Sequence, residues 1–204
     1  MVSRVSHTNL NDGVTVVPYG AILLDANTGA EAGELDMTTL WGTTPAGTFP
    51  VSMVGVADDG VVYIANLITS ANSDTFAIYS WPAADPSVGM NGTPAYYANP
   101  MGVAYSGSGG LGRIGDTMAV RGAGTNTQIL LGPGTGTNVA LFTTSDGVNF
   151  LPTIIPVTGV VDHFAQYGLA FGPSTNTFWA KNSESTNLYL VQFDAIAQTG
   201  SVLQ

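Results

Sequence analysis

The chain has 204 residues, with 26 glycines and 11 prolines; 9% of it is charged and 45% is hydrophobic. That is apolar material enough for one domain with a buried core, and it excludes a charge-rich disordered chain. With 4 Lys and Arg against 14 Asp and Glu, and a formal net charge of −10, it lacks the basic stripe that nucleic acids and anionic membrane surfaces require.

The scarcity of charge also speaks against a helical bundle, whose wet faces need Glu, Lys and Arg. Glycine at roughly twice its usual share predicts many short strands joined by tight turns. Cysteine is absent, which removes disulfides, thiolate zinc sites and a Cys nucleophile together. No apolar run approaches the roughly 18 residues of a membrane helix. Residues 1–11 are polar and carry no signal-peptide core, so the expectation is a cytoplasmic chain or an export signal outside this sequence.

Strand signals begin at residues 14–17 and continue at 21–24 and 30–35, the last two joined by an Asn-Thr-Gly turn that reads as a hairpin. Residues 51–57 and 61–67 flank Asp58-Asp59-Gly60, a strong hairpin signal. Residues 75–81 continue the meander, Pro82 and Pro86 stop it, and 95–98 read as an outer strand. Residues 99–112 are a Gly-, Ser- and Pro-rich loop. The pattern restarts with strands at 117–121, 127–131, 139–143 and 150–157, separated by turns at 122–124, 132–137 and 144–147. A third round has strands at 167–171, 177–181 and 188–193, with a further strand from 200. The best helix candidate, 194–198, is too short to weigh against these signals.

The rounds are loosely similar. Val54-Gly55-Val56-Ala57, Met118-Ala119-Val120-Arg121 and Leu169-Ala170-Phe171-Gly172 sit at matching places, about 50 to 65 residues apart, near the period of propeller blades. The expectation is an all-β, propeller-like array of antiparallel four-stranded blades. It holds about three and a half blades, fewer than the roughly four or more of a closed ring. Residues 1–12 form a flexible N-terminus and 13–48 a partial blade; blades follow at 49–112, 113–160 and 161–204. Such an array is open, or closed by oligomerisation or by neighbouring blades of a longer chain, and its exposed edges invite self-association. A β-sandwich is the alternative.

Six stretches carry a resemblance: 22–29 (ILLDANTG), 53–67 (MVGVADDGVVYIANL), 76–81 (FAIYSW), 113–124 (RIGDTMAVRGAG), 142–150 (FTTSDGVNF) and 169–181 (LAFGPSTNTFWAK). In this order they resemble a bacterial family of secreted or surface propeller-like proteins of unknown function. The resemblance implies a β-propeller, an extracellular or cell-surface location and no assigned catalysis. Members of that family are longer and begin with a signal peptide and earlier blades; this sequence shows neither, and the missing export signal is explained if it is a fragment.

Candidate chemistry is sparse. Residues 144–150 (TSDGVNF) resemble the Asp-box hairpin of sialidase-like propellers, in which Asp and Gly shape the turn and the aromatic plugs the blade. A sialidase needs an arginine cluster, and the chain has three arginines. Arg113, Asp116 and Arg121 form the one local group of both signs. They read as a tie between blades or, functionally, as a ligand-binding patch at a channel mouth. Asp58 and Asp59 read as turn acceptors or as a loop Ca²⁺ site; no other cofactor is expected. His7 and His163 are the only histidines, too few for a multi-His metal site. His163 adjoins Asp162, but neighbours in a strand point to opposite faces, against a Ser-His-Asp triad. Trp41, Trp81, Trp179, Tyr63 and Tyr79 are core aromatics or sugar-stacking platforms, and Trp41, in a Gly/Thr/Pro loop, is the best candidate for exposure.

The function expected is a non-catalytic binding or structural module that takes a glycan, a peptide or another copy of itself, without nucleic acid or membrane insertion. The alternative is a glycan- or lactone-cleaving propeller enzyme using carboxylates from Asp58, Asp116, Asp146 and Asp162, with or without a divalent ion.

Overall fold

The structure is a computed structural model and describes residues 1–4, 7–8, 16–17, 19–37, 49–67, 76–92, 94–98, 114–134, 136–183 and 185–204. Strands β1 (Val2–Arg4), β4 (Gly20–Leu24) and β5 (Glu31–Glu34) form an antiparallel sheet in the order β1-β4-β5, and β2 (His7–Thr8) pairs with β3 (Val16–Val17). A four-stranded meander follows, of β6 (Phe49–Val56), β7 (Val62–Leu67), β8 (Ala77–Trp81) and β9 (Tyr96–Tyr97). The next comprises β10 (Ile114–Arg121), β11 (Gln128–Pro133), β12 (Asn138–Thr144) and β13 (Phe150–Thr158). The last comprises β14 (Gly168–Phe171), β15 (Thr177–Lys181), β16 (Leu188–Asp194) and β17 (Thr199–Val202). The last two meanders join where β13 and β17 run parallel, pairing Val157 with Gly200 and Thr158 with Ser201. The result is one eight-stranded sheet whose end strands, β10 and β14, pack on each other, so that it curls back on itself.

All-β architecture is as expected, and the described residues hold no α-helix, only the 3₁₀ turn Gly124–Asn126. Residues 194–198, the best helix candidate, form the β16–β17 hairpin turn. The Asp194 carboxylate accepts the amides of Ile196 at 2.8 Å and Ala197 at 2.9 Å, as a helix cap would, but Gln198 at φ +52° and the pairing of Thr199 with Asp194 turn the chain back into β17 before a helix can propagate.

Alternation of side chains places one apolar layer on each face of the β10–β13 meander. Ile129, Leu131, Ala140 and Phe142 face Tyr63, Ala65, Phe76 and Ile78 of the preceding meander. Leu130, Val139, Leu141 and Ile155 face Phe178, Ala180, Tyr189 and Val191 of the following one. A third layer joins Ala21 and Leu35 to Val62, Ile64, Tyr79 and Trp81. Each fully buried Leu, Ile, Val or Phe among them contributes about 1.5–3 kcal/mol, and each Ala methyl less than about 1 kcal/mol. Successive sheets therefore stack in chain order with an apolar layer between each pair.

The first strands of the sheets meet in sequence: β1 on β6, β6 on β10, β10 on β14. Glycine allows the closest approaches. A Cβ on Gly55 would stand 2.4 Å from Val120 Cγ2. Gly115, at φ +100°, lies in a bulge of β10, and a Cβ there would stand 2.3 Å from the Asn66 carbonyl oxygen.

The outer edge of β13 is blunted. Val157 donates its N–H to Thr137 on the β12 side at 3.0 Å, whereas Phe150 donates away from it, to the Ala95 carbonyl, also at 3.0 Å. Alternation then turns the even-numbered residues' nitrogens outward, and two of these residues are Pro152 and Pro156, which have no N–H to offer.

Candidate functional site

The turns that end the first hairpins of the three meanders meet along one rim. Asp58 donates its amide to the Gly122 carbonyl at 2.8 Å, and its Oδ2 accepts the Gly122 amide at 3.0 Å. Asp59 Oδ2 accepts the Gly124 amide at 2.9 Å, and its Oδ1 accepts that of Val61 at 3.2 Å. The two aspartates thus bind the backbone of the next meander's turn. Among the described residues no group of three or more His, Asp or Glu is placed to hold a metal ion.

Arg121 makes the next link. Its Nε and Nη2 donate to Gln128 Oε1 at 2.8 and 2.6 Å. Nη1 donates to the Ser174 carbonyl at 3.5 Å and Nη2 to that of Thr175. The guanidinium carbon lies 3.9 Å from the centre of the Phe171 ring. Burial lowers the Arg121 pKa below its ordinary guanidinium value, but the group stays protonated at neutral pH. Asp116 lies in the β10 bulge, half-buried, about 16 Å along the strand from Arg121 at ~3.3 Å per residue. The two are therefore not one patch. Trp41 and Arg113 lie outside the described residues.

The 144–150 hairpin has the geometry its sequence implies. Asp146 Oδ1 accepts the amides of Val148 at 2.8 Å and Asn149 at 2.7 Å, and Oδ2 accepts the Asn149 side-chain amide at 2.7 Å. Those bonds, the Asn149 side chain first, hold its carboxyl well below the ordinary 3.8. Gly147 takes φ +78°, and Phe150 is buried, edge-on to Tyr63 at 5.4 Å.

Asp162 lies at the opposite end of these strands, where its Oδ1 accepts the Gly136 amide. The four aspartates of the enzyme reading thus divide between two ends of the sheet. Asp58 and Asp146 stand near turn 122–126; Asp116 and Asp162 stand at the far end of β11, about 20 Å away at ~3.3 Å per residue. Asp162 and His163 occupy a turn rather than a strand, with His163 at φ +61°. Their side chains therefore approach, His163 Nδ1 standing 3.7 Å from Asp162 Oδ2, where an extended chain would separate them. Ser183 meets His163 through backbone, donating its amide to the His163 carbonyl at 3.4 Å. Trp81, Tyr79 and Tyr63 are buried and cannot serve as sugar platforms; Trp179 is half-buried.

Between the last two meanders lies an open groove of about 820 Å³. Pro156 and Phe193 supply apolar surface over the buried Leu141, and Gln128, Thr143, Thr158, Thr175, Asn176, Gln192, Gln198, Thr199 and Ser201 supply amides and hydroxyls. Arg121 stands behind one wall, bonded to both Gln128 and Thr175. The sequence reading missed these residues. A signal was present: the turns at 122–127 (GAGTNT) and 172–177 (GPSTNT) are near-copies, and both adjoin the groove. Hairpin register sets Val56, Arg121 and Phe171 last before their turns, so the middle segment sits one residue later than the sequence comparison implied.

Fold and groove define an all-β protein of stacked, mostly antiparallel sheets. No protein-family model matches the chain, and no curated protein matches it. Among solved structures it is similar to a DUF4623 family protein from Bacteroides eggerthii, at TM-score 0.55 and 15% identity, covering 85% of this chain and 40% of that one. It also aligns with a protein from Lactobacillus plantarum at TM-score 0.45 and 14% identity, covering 91% of this chain and 62% of that one. The chain thus spans less than two thirds of either, and the first likeness is one of fold. No helix among the described residues is long and apolar enough to cross a membrane.

Proposed function

We propose that the chain is a propeller-type array acting as a non-catalytic binding or structural module at the cell surface or outside the cell. The propeller reading is supported by the order of contacts: β1, β6, β10 and β14, each at one edge of its sheet or meander, pack on one another in turn, as strands nearest a common axis do. Three successive apolar layers also exceed the single layer of a two-sheet sandwich. The surface location rests on the resemblance carried by the six stretches. Self-association through the outer edge of β13 is disfavoured by Pro152 and Pro156.

One observation carries the non-catalytic reading. Asp58, Asp146 and Asp162 each accept backbone amides of turns, and they stand at two ends of the sheet. A glycosidase or lactonase needs two convergent groups, one of them free to move a proton or attack. The test is incubation of the full chain with chromogenic glycosides and aryl lactones, with and without Ca²⁺. No turnover above the buffer rate is expected; turnover that is lost in Asp58→Asn, Asp116→Asn, Asp146→Asn or Asp162→Asn would overturn the reading.

A further inference from the structure

The groove between the last two meanders has a volume of about 820 Å³, within the roughly 300–1,000 Å³ of small-molecule sites. Among the described residues that line it, Asp194 is the one ionisable side chain, and its Oδ1 is occupied by the amides of Ile196 and Ala197. Arg121, the nearby cation, is turned away onto Gln128, two backbone carbonyls and the Phe171 ring. With Gln128 Oε1 accepting from Arg121, the Gln128 Nε2 group is the end left to donate.

An anionic ligand entering here would lose hydration and meet no countercharge, only the Asp194 carboxylate. A neutral polyhydroxyl ligand would exchange water for carboxamides and hydroxyls and lay its C–H faces on Pro156 and the exposed edge of Phe193. The lip carries Ile196, 97% exposed, beside Gln198 held at φ +52°. A large apolar side chain so placed, on a groove whose one charge is the Asp194 carboxylate, is a contact surface. Strand addition by a peptide is disfavoured along this side of β13, because β17 already pairs with residues 157–158 and Pro152 and Pro156 remove two of the donors that mode uses.

We propose that this groove binds a neutral oligosaccharide, an inference that rests on the binding-module reading and assigns its ligand class. The experiment is calorimetric titration of the full chain with maltohexaose, cellohexaose and xylohexaose, with hexagalacturonate as the charged counterpart and an uncharged heptapeptide pool as the peptide arm. At least one neutral hexaose should bind. Ile196→Ser and Gln198→Ala should each weaken it about tenfold, and Ile196→Ser, being at an exposed position, should leave the melting temperature unchanged. Binding of hexagalacturonate or peptide in place of neutral sugar, lost in the same variants, overturns the ligand class and leaves the binding module standing. Neutral-sugar binding untouched by both variants overturns the site, and failure of every probe to bind overturns the inference. Hydrolysis of a bound hexaose would instead strike the non-catalytic reading.

Discussion

Arg121→Met removes the link between the last two meanders while keeping much of the side chain's apolar length. The parent guanidinium donates twice to Gln128 Oε1, at 2.8 and 2.6 Å, reaches the carbonyls of Ser174 and Thr175, and stacks 3.9 Å over Phe171. A buried hydrogen bond to a charged group is worth about 1.5–3 kcal/mol, but the half-exposed setting here reduces the hydrogen-bonding share to about 1 kcal/mol. The ring contact adds about 0.5–1 kcal/mol. The variant should therefore lose about 1.5–2 kcal/mol, read as a lower urea midpoint at unchanged slope and a melting temperature lower by about 3–8 °C. Arg121→Lys should recover less than half of the loss, because an ammonium cannot fork onto Gln128 and Thr175 together. A double-mutant cycle with Phe171→Leu should give a coupling of about 0.5–1 kcal/mol. A loss under about 0.5 kcal/mol, the ordinary range of surface substitutions, or strict additivity with Phe171→Leu would refute the link.

Gly132→Ala should cost about 1–3 kcal/mol by overpacking, because its Cβ would stand 2.6 Å from the Ala165 carbonyl oxygen and 2.2 Å from Thr117 Oγ1; denaturant titration checks it. Phe142→Ala should cost about 3–5 kcal/mol, since that ring is fully buried against Tyr96 at 4.9 Å and Phe76 at 6.1 Å. Asp146, Asp25 and Asp85 are all held below the ordinary 3.8, Asp146 chiefly by the Asn149 side chain, Asp25 by the Thr28 amide and Asp85 by the Ser87 hydroxyl. Their stabilisation is complete above that value and is lost as pH falls through the lowered folded-state values. The urea midpoint should drop on acidification, and Asp146→Asn should drop less steeply than the parent.

Strands were the legible part of the sequence, because alternation and turn chemistry are local. Residues 177–181 were read as a strand and form β15, and the Asp-Gly hairpin at 58–60 closes between β6 and β7 as its turn residues imply. The 144–150 turn was legible for the same reason: Asp146 acts on residues within three of itself. What sequence could not show is long-range partnership. Arg121 was read with Arg113 and Asp116, its sequence neighbours, whereas its partners include carbonyls more than fifty residues away. Backbone carbonyls leave no mark in side-chain identity. Asp162 and His163 were misread as extended because the turn that bends them rests on His163 at positive φ, a conformation that a non-glycine residue does not announce. The groove was invisible for a further reason: its chemistry is Gln, Thr, Asn and Ser, residues indistinguishable in sequence from any polar surface.

Consecutive sheets stack through their first strands. The chain contains no cysteine, so one introduced pair reports cleanly. In Gly55→Cys/Val120→Cys, a Cβ on residue 55 stands 3.2 Å from Cβ of residue 120, a few tenths short of the roughly 3.5–4.5 Å of a disulfide. Mild oxidation of the folded double variant should close an intramolecular disulfide between β6 and β10, leaving no free thiol by mass and thiol titration. Two free thiols after oxidation of the folded chain, or cross-linking between molecules alone, would contradict the stacked arrangement.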